Sequence, residues 1–547
     1  LGPDNRRILL ATVLSVGILI LWQVIFPSKK PQPQPKPAAA PAEVAKPTAP
    51  ASPAPGSAAA AVPAPPPDAP EETVKLAGKG FEATLTTYGG ALKSLRLEGD
   101  KFRKQEKDRE VQIDLVHVTD GQPYPLSLSA SPELGGGGDV AADPGARAPM
   151  RIVAKDASSV TFEGRVGNLA ARKTFRVTGK PYELALDVEL SGGAGNGTVG
   201  VLYPAFMPPE TKSGGIFSGP PLDFVRPVCR AGTTTERFDL AKEGAPEKLE
   251  GQVSWAGVDQ HYFVAAVLPA EPIGTCTFAR GPVKGAGVAA LAVPVEGGAR
   301  KLSLTVYAGP KDLDTLRGYG RGFESAIDYG AVAKFFALFA RGLLYVMRWL
   351  EAIVRNWGVA IILLTVLVRL VLFPLTYKSM QSMNEMRKLQ PEIEKLKAKF
   401  GDDREKMNLA VMQLYQKHKV NPLGGCLPML LQMPVWFALY AALQTSVELY
   451  REPFLWMKDL TAHDPYFILP IAMGISSFVM QKLSPQPADN AQAKMMLYFF
   501  PGFFTVIMLF VPGGLTLYIF VNNLLSIVQQ QLMMKHQQAA PAPAAGK

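Results

Sequence analysis

Residues 358–376 read GVAIILLTVLVRLVLFPLT, an apolar stretch of 19 residues interrupted by a single charge, Arg369. A run of that length and composition crosses the hydrocarbon core of a bilayer as one helix. At a rise of 1.5 Å per residue Arg369 sits about 16 Å from one end, where an arginine costs roughly 2.5 to 3.5 kcal/mol on insertion scales. Its other end, near Tyr377, is about 12 Å away, farther than a side chain comfortably snorkels. The arginine is therefore expected to face water or polar partners inside a bundle. Thr365 and Thr376, at i−4 and i+7, share its helical face and give the span one polar stripe.

Working outward, residues 424–447, 465–483, 495–511 and 515–533 form further apolar segments. With an uncharged run from Ile8 to Phe26 behind Arg6 and Arg7, they predict six transmembrane helices, an N-terminal anchor plus a five-helix core over 358–533. The anchor, 6–26, is long for a signal-peptide core and has no cleavage site at its end. Polar side chains recur in these spans: Gln432, then Ser476, Ser477 and Gln481, then Tyr518, Asn522 and Gln529 along one face of the last. Together with Arg369 they could line a hydrated cavity; taken singly they read as ordinary interhelical hydrogen bonds. No Asp or Glu lies inside any span, and the core shows no repeated halves with matching broken helices. An ion-coupled transporter needs such a carboxylate, so that class falls behind.

Between the second and third spans, residues 377–423 carry ten Lys/Arg and are expected on the cytoplasmic side. Their apolar period predicts an antiparallel helical hairpin turning at Gly401-Asp402-Asp403. Met380, Met383 and Met386 lie along its stripe, as a yielding client contact or, more simply, as the seam of the hairpin. Both termini, including the tail 534–547, fall in the cytoplasm.

The rest of the chain has another texture, as 48% hydrophobic residues and a mean hydropathy just above zero require. Residues 27–72 are a Pro/Ala-rich linker that cannot bury a core. From 73 to 320, short alternating segments such as FEATLTT (81–87) and KLSLTVY (301–307), separated by Gly/Pro turns, predict a large all-β sandwich on the outer, periplasmic side. Residues 326–357 carry Lys334, Arg341, Arg348 and Arg355 every seven positions, an amphipathic helix expected to lie in the membrane interface with its cations toward the headgroups.

The net charge of +10 comes without a Lys/Arg-dense stripe interleaved with aromatics, so specific nucleic-acid binding is not expected. Cys229, Cys276 and Cys426 and five scattered histidines show no metal-ligand spacing, and no phosphate-binding Gly-rich motif is present; neither a metal nor a cofactor is predicted. Cys229 and Cys276, in an oxidising space, either pair or remain two buried thiols.

Several ordered motifs coincide: Asn356-Trp357-Gly358, TVLVRLVLFPLT (365–376), Met386-Arg-Lys-Leu-Gln-Pro391, Asn421-Pro-Leu-Gly-Gly-Cys426, Gln432-Met-Pro434, Pro512-Gly-Gly514 and Gln529-Gln-Gln531. In these the chain resembles the YidC/Oxa/Alb family of membrane protein insertases, strongly over residues 325–533. The resemblance implies a bacterial inner-membrane protein, not an enzyme, that inserts and helps fold nascent membrane proteins without ATP, alone or with the Sec translocon. Ribosomes and membrane lipids are the other implied partners, with no small-molecule substrate. Arg369 matches the arginine of the family's hydrated, cytoplasm-facing groove; Thr365, Gln432, Tyr518 and Asn522 fall on its lining, and the hairpin matches a client-receiving element. The sandwich resembles a sugar-mutarotase fold, which implies no sugar chemistry. The tail departs from the basic tail by which many members dock ribosomes, having only Lys535 and Lys547. Rival readings are a channel or small-molecule transporter in the same cavity, and a β-domain that is itself a chaperone or carbohydrate binder.

Overall fold

The computed structural model describes residues 70–539 apart from 107–108, 138–142, 194, 208–223, 241–245, 282, 329, 402, 419, 421–426 and 484–494. The expected anchor at 6–26, most of the linker, the last residues of the tail and Cys426 lie outside the described residues.

Residues 73–310 form a β-sandwich. One sheet has nine strands, in the order β13 (Thr234–Arg237), β12 (Val225–Ala231), β15 (Val253–Gln260), β16 (Phe263–Pro269), β19 (Arg300–Pro310), β10 (Glu183–Ser191), β9 (Leu169–Val177), β8 (Ser159–Val166) and β7 (Arg151–Lys155). The facing sheet has five: β14 (Glu247–Leu249), β17 (Thr275–Arg280), β18 (Ala286–Val295), β11 (Gly197–Phe206) and β6 (Leu128–Ala130). A three-stranded sheet, β1 (Thr73–Gly78), β2 (Phe81–Thr86) and β3 (Ala91–Leu97), and a ribbon of β4 (Arg103–Glu106) and β5 (Arg109–Gln112) complete it. Side chains alternate in and out as a pleated strand requires, so Val74 and Leu76 of β1 and Leu169, Ala171 and Phe175 of β9 enter one core. A disulfide joins Cys229 of β12 to Cys276 of β17, Cα atoms 6.4 Å apart, and so bridges the two sheets.

The same alternation drives Lys173 of β9 inward. Its fully buried ammonium donates to the backbone oxygens of Leu126 at 2.6 Å and Gly89 at 3.0 Å. Burial pushes its pKa down to about 7. Gly89, at φ +71°, is needed where it stands, because a Cβ there would lie 2.3 Å from the oxygen of Ala146.

After the sandwich come α1 (Leu313–Gly318), N-capped by Asp312, and α2 (Gly330–Val354). Helix α2 buries Met347 and Leu350 in the helical core and sets Ala340 against Ala438 and Ala441. Phe339, Tyr345, Trp349 and Ile353 are left exposed on another face. The helix carries three of the four evenly spaced cations and stops before Arg355, which stands at φ +51° between it and the next helix. Arg348 is turned to protein rather than outward: its guanidinium lies 2.6 Å from Asp314, 3.7 Å from Asp312, and also pairs with Glu448.

Helix α3, Trp357–Phe400, is 44 residues long and N-capped by Asn356, whose side chain accepts from Val359 N at 3.0 Å. It runs unbroken through Pro374 and Pro391, so the apolar segment and the first arm of the expected hairpin are one helix. The second arm is α4 (Arg404–Lys417), N-capped by Asp403. Leu389, Ile393, Leu414 and Val420 close the seam between the arms, with Met386 packed against it. Met380 is half-buried, and the side chain of Met383 lies outside the described residues.

The remaining helices are α5 (Leu427–Thr445), α6 (Ile468–Leu483), a π-turn at Met495–Phe499, α7 (Phe500–Met508) and α8 (Gly513–Ala539). Among the described residues one helix segment, Trp357–Ser382, is long and apolar enough to cross a membrane; Gln432–Leu443, Ile468–Leu483 and Leu497–Met508 are shorter apolar helices.

Candidate functional site

Helices α3 and α8 pack side by side, and the polar stripe of each faces the other. Arg369 Nε donates to Asn522 Oδ1 at 2.8 Å, and its Nη2 donates to the Asn522 backbone oxygen at 3.1 Å and to Ser526 Oγ. The Ser526 hydroxyl in turn donates to Asn522 O at 2.7 Å. From α5, Gln432 Nε2 donates to Asn522 Oδ1 at 2.5 Å and to the Tyr518 hydroxyl at 3.2 Å. Farther along α8, Gln529 Nε2 donates to Thr376 Oγ1 at 3.2 Å.

Four of the predicted residues, Arg369, Gln432, Tyr518 and Asn522, are thus brought into one connected network. Thr365 is not part of it: its buried hydroxyl donates to Ile361 O at 2.7 Å, back along its own helix. That bond satisfies the group locally, within its own helix. Ser526 was missed, although it stands at i+4 from Asn522 on the very stripe that Tyr518 begins; the period alone would have found it. A second polar knot lies across α8, where Asn523 Nδ2 donates to Ser477 Oγ at 2.8 Å and Ser476 Oγ at 3.2 Å.

Arg369 is half-buried, and among the described residues no partner of it is a carboxylate. Neutral oxygens orient the guanidinium and leave its charge uncompensated, so an anion entering the network meets a cation in surroundings of low dielectric. No group of three metal-ligating side chains occurs among the described residues.

At the end of the bundle nearest the sandwich, the loop after α5 is clamped to it. Glu448 pairs with Arg348, and burial raises its carboxyl pKa while the guanidinium opposes the shift. Tyr450 packs on Tyr262 and Phe263, ring centroids 4.9 and 5.6 Å away.

Residues 349–540 match the family model described as 60Kd inner membrane protein, and residues 73–346 match that of the YidC periplasmic domain. The chain is 97% identical over 547 residues to the membrane protein insertase YidC of Anaeromyxobacter sp. (strain K), covering 100% of both. It is 36% identical over 474 residues to that of Geobacter sp. (strain M21), covering 83% of this chain and 84% of the relative. A crystal structure of an active YidC insertase with its first transmembrane domain resolved is 20% identical, covers 84% of this chain and 92% of that one, and superposes with a TM-score of 0.36.

Proposed function

Because the chain belongs to the YidC family of membrane protein insertases, we propose that Arg369 and the polar residues around it line the groove through which a client's polar flank is drawn part-way across the bilayer. The activity is the family's: the chain is a membrane protein insertase of the inner membrane, its clients are nascent membrane proteins, and it is no member of an enzyme class. A channel or small-molecule transporter is not favoured.

A client span of apolar residues enters lipid downhill, at about −0.3 to −0.6 kcal/mol per large residue. The barrier is the polar flank that must cross with it. Holding that flank among hydrogen-bonding groups and one cation lowers its desolvation cost. The observation that carries this reading is the bonding of Arg369 to Asn522 and Ser526 with no carboxylate partner. Within this reading Thr365 stiffens the groove wall and Gln432 and Tyr518 line it. Met386 serves the hairpin seam, which leaves Met380 and Met383 as the hairpin's contacts to clients.

Around the groove we place six spans with both termini in the cytoplasm and the sandwich in the periplasm. The positive 377–423 segment and the Cys229–Cys276 disulfide, which suits an oxidising space, both support that orientation. Helix α2 lies in the membrane interface with its exposed apolar face toward the acyl chains, and the Sec translocon and ribosome are the partners assigned from the family.

Insertion into proteoliposomes, read by protease protection of a single-span client with an acidic flank, tests the groove. Arg369→Lys is expected to insert the client, and Arg369→Ala and Arg369→Glu to lose it. Undiminished insertion by Arg369→Glu would sink the reading.

A further inference from the structure

A guanidinium carries five N–H donors, and a carboxylate grips it best through two parallel bonds, along either the Nε/Nη2 or the Nη1/Nη2 edge. Both edges need Nη2. Here the Nη2 donors go to the Asn522 backbone oxygen and to Ser526 Oγ, and Nε goes to Asn522 Oδ1. The Nη1 donors have no partner among the described residues.

The acceptors holding that edge are themselves fixed. Ser526 Oγ is locked by its own bond to Asn522 O, and Asn522 Oδ1 by its second donor, Gln432 Nε2. Asn522 and Ser526 stand one turn apart on α8, a helix that also grips α3 through Gln529 and Thr376. The guanidinium is therefore pinned by one edge to the opposite helix while its full charge remains on offer.

Resting on the groove reading above, we propose that Asn522 and Ser526 are positioning residues that hold the Nε/Nη2 edge of Arg369 closed, so that a client's acidic group is met through Nη1 alone. A single-pronged contact is weaker than a bidentate one and lets go sooner. The groove then attracts an acidic flank without trapping it, as a device that must release every client requires. The device is specific to carboxylates: a neutral flank has no second prong to gain.

The test uses the full-length protein in proteoliposomes and two single-span clients that differ by Glu or Gln at one flank position, each with a photo-crosslinker beside it. Crosslinking at intervals after client release reads the dwell time in the groove, and the quantity compared is the ratio of dwell times, Glu over Gln. Asn522→Ala with Ser526→Ala frees Nε and one of the two Nη2 donors, enough for a two-pronged grip although the backbone oxygen of residue 522 keeps the other, and is expected to raise the ratio about tenfold, the worth of one more charge-assisted bond. Asn522→Asp keeps the shape and the acceptor but supplies a counter-charge, and is expected to bring the ratio to about one. Ser526→Ala alone opens one Nη2 donor and moves the ratio the same way as the double variant, which covers a double variant that fails to assemble. A ratio that stays at the wild-type value in all three, or that falls when the edge is freed, overturns the inference. Arg369→Gln separates the two readings. If it leaves the wild-type ratio untouched, the groove reading fails; if it abolishes the ratio while the Asn522 and Ser526 variants do not move it, only the positioning role fails.

Discussion

Lys101 Nζ lies 2.8 Å from Glu452 Oε1, joining the β-sandwich to the loop after α5 across 351 residues of sequence. The same ammonium donates to the backbone oxygen of Glu448 at 2.6 Å, one residue from the core-packed Val447. Lys101→Glu replaces an attraction with a repulsion at a contact about one-third exposed. Hydrogen exchange of the full chain in detergent is expected to quicken roughly three- to tenfold in residues 447–452, with β9 and β10 unmoved. Unchanged exchange in that loop would mean that the Arg348–Glu448 pair, the burial of Val447 and the aromatic contacts of Tyr450 hold it without Lys101.

Lys173 makes the stability of the sandwich depend on pH. Between about 7, its value in the fold, and its ordinary value of 10.5, the unfolded chain holds a proton there that the folded chain does not. Protons thus favour unfolding in this window, so stability rises as pH rises through it, and the contribution levels off below about 7 where both states are charged. Exchange protection of β8–β10 should increase from pH 7 to pH 9 once intrinsic rates are divided out. Lys173→Met should flatten that slope, at the cost of leaving the Gly89 and Leu126 oxygens without their donor. An equal slope in the variant would remove Lys173 as the cause.

The inter-sheet disulfide closes a separation of 47 residues, worth about 4 kcal/mol if it acts chiefly on the unfolded chain. Cys229→Ala with Cys276→Ala is expected to lower the denaturant midpoint of the sandwich, and reductant to lower that of the wild type but not of the variant. A thiol-labelling reagent should reach both cysteines only after reduction and unfolding, since both are fully buried. Ready labelling of Cys229 or Cys276 without reductant, in a chain whose third cysteine Cys426 is replaced by Ser, would contradict the pairing.

What could be read in the sequence was what periodicity carries. Alternation located the strands, yet the same alternation placed Lys173 inside, and nothing local says that two backbone oxygens wait for it. Hydropathy singled out Arg369, and spacing along the last span supplied Tyr518 and Asn522; Ser526 fell between two residues already chosen and was passed over. Thr365 shares the face of Arg369 on a helical wheel, but a wheel cannot tell a hydroxyl that faces a partner from one bonded to its own helix. The disulfide depends on two strands in opposite sheets meeting, which no single sequence displays. The onset of charge at Lys378 reads in the sequence as the end of a span, while the helical hydrogen-bond ladder of α3 continues across it.

That continuity makes α3 a lever. From Pro374 to Phe400 the helix is about 39 Å long, so each degree of tilt about the proline carries the far end of the hairpin through about 0.7 Å. A load leaning on the hairpin is passed as torque to the stretch of α3 that bears Arg369, with no loop between to absorb it.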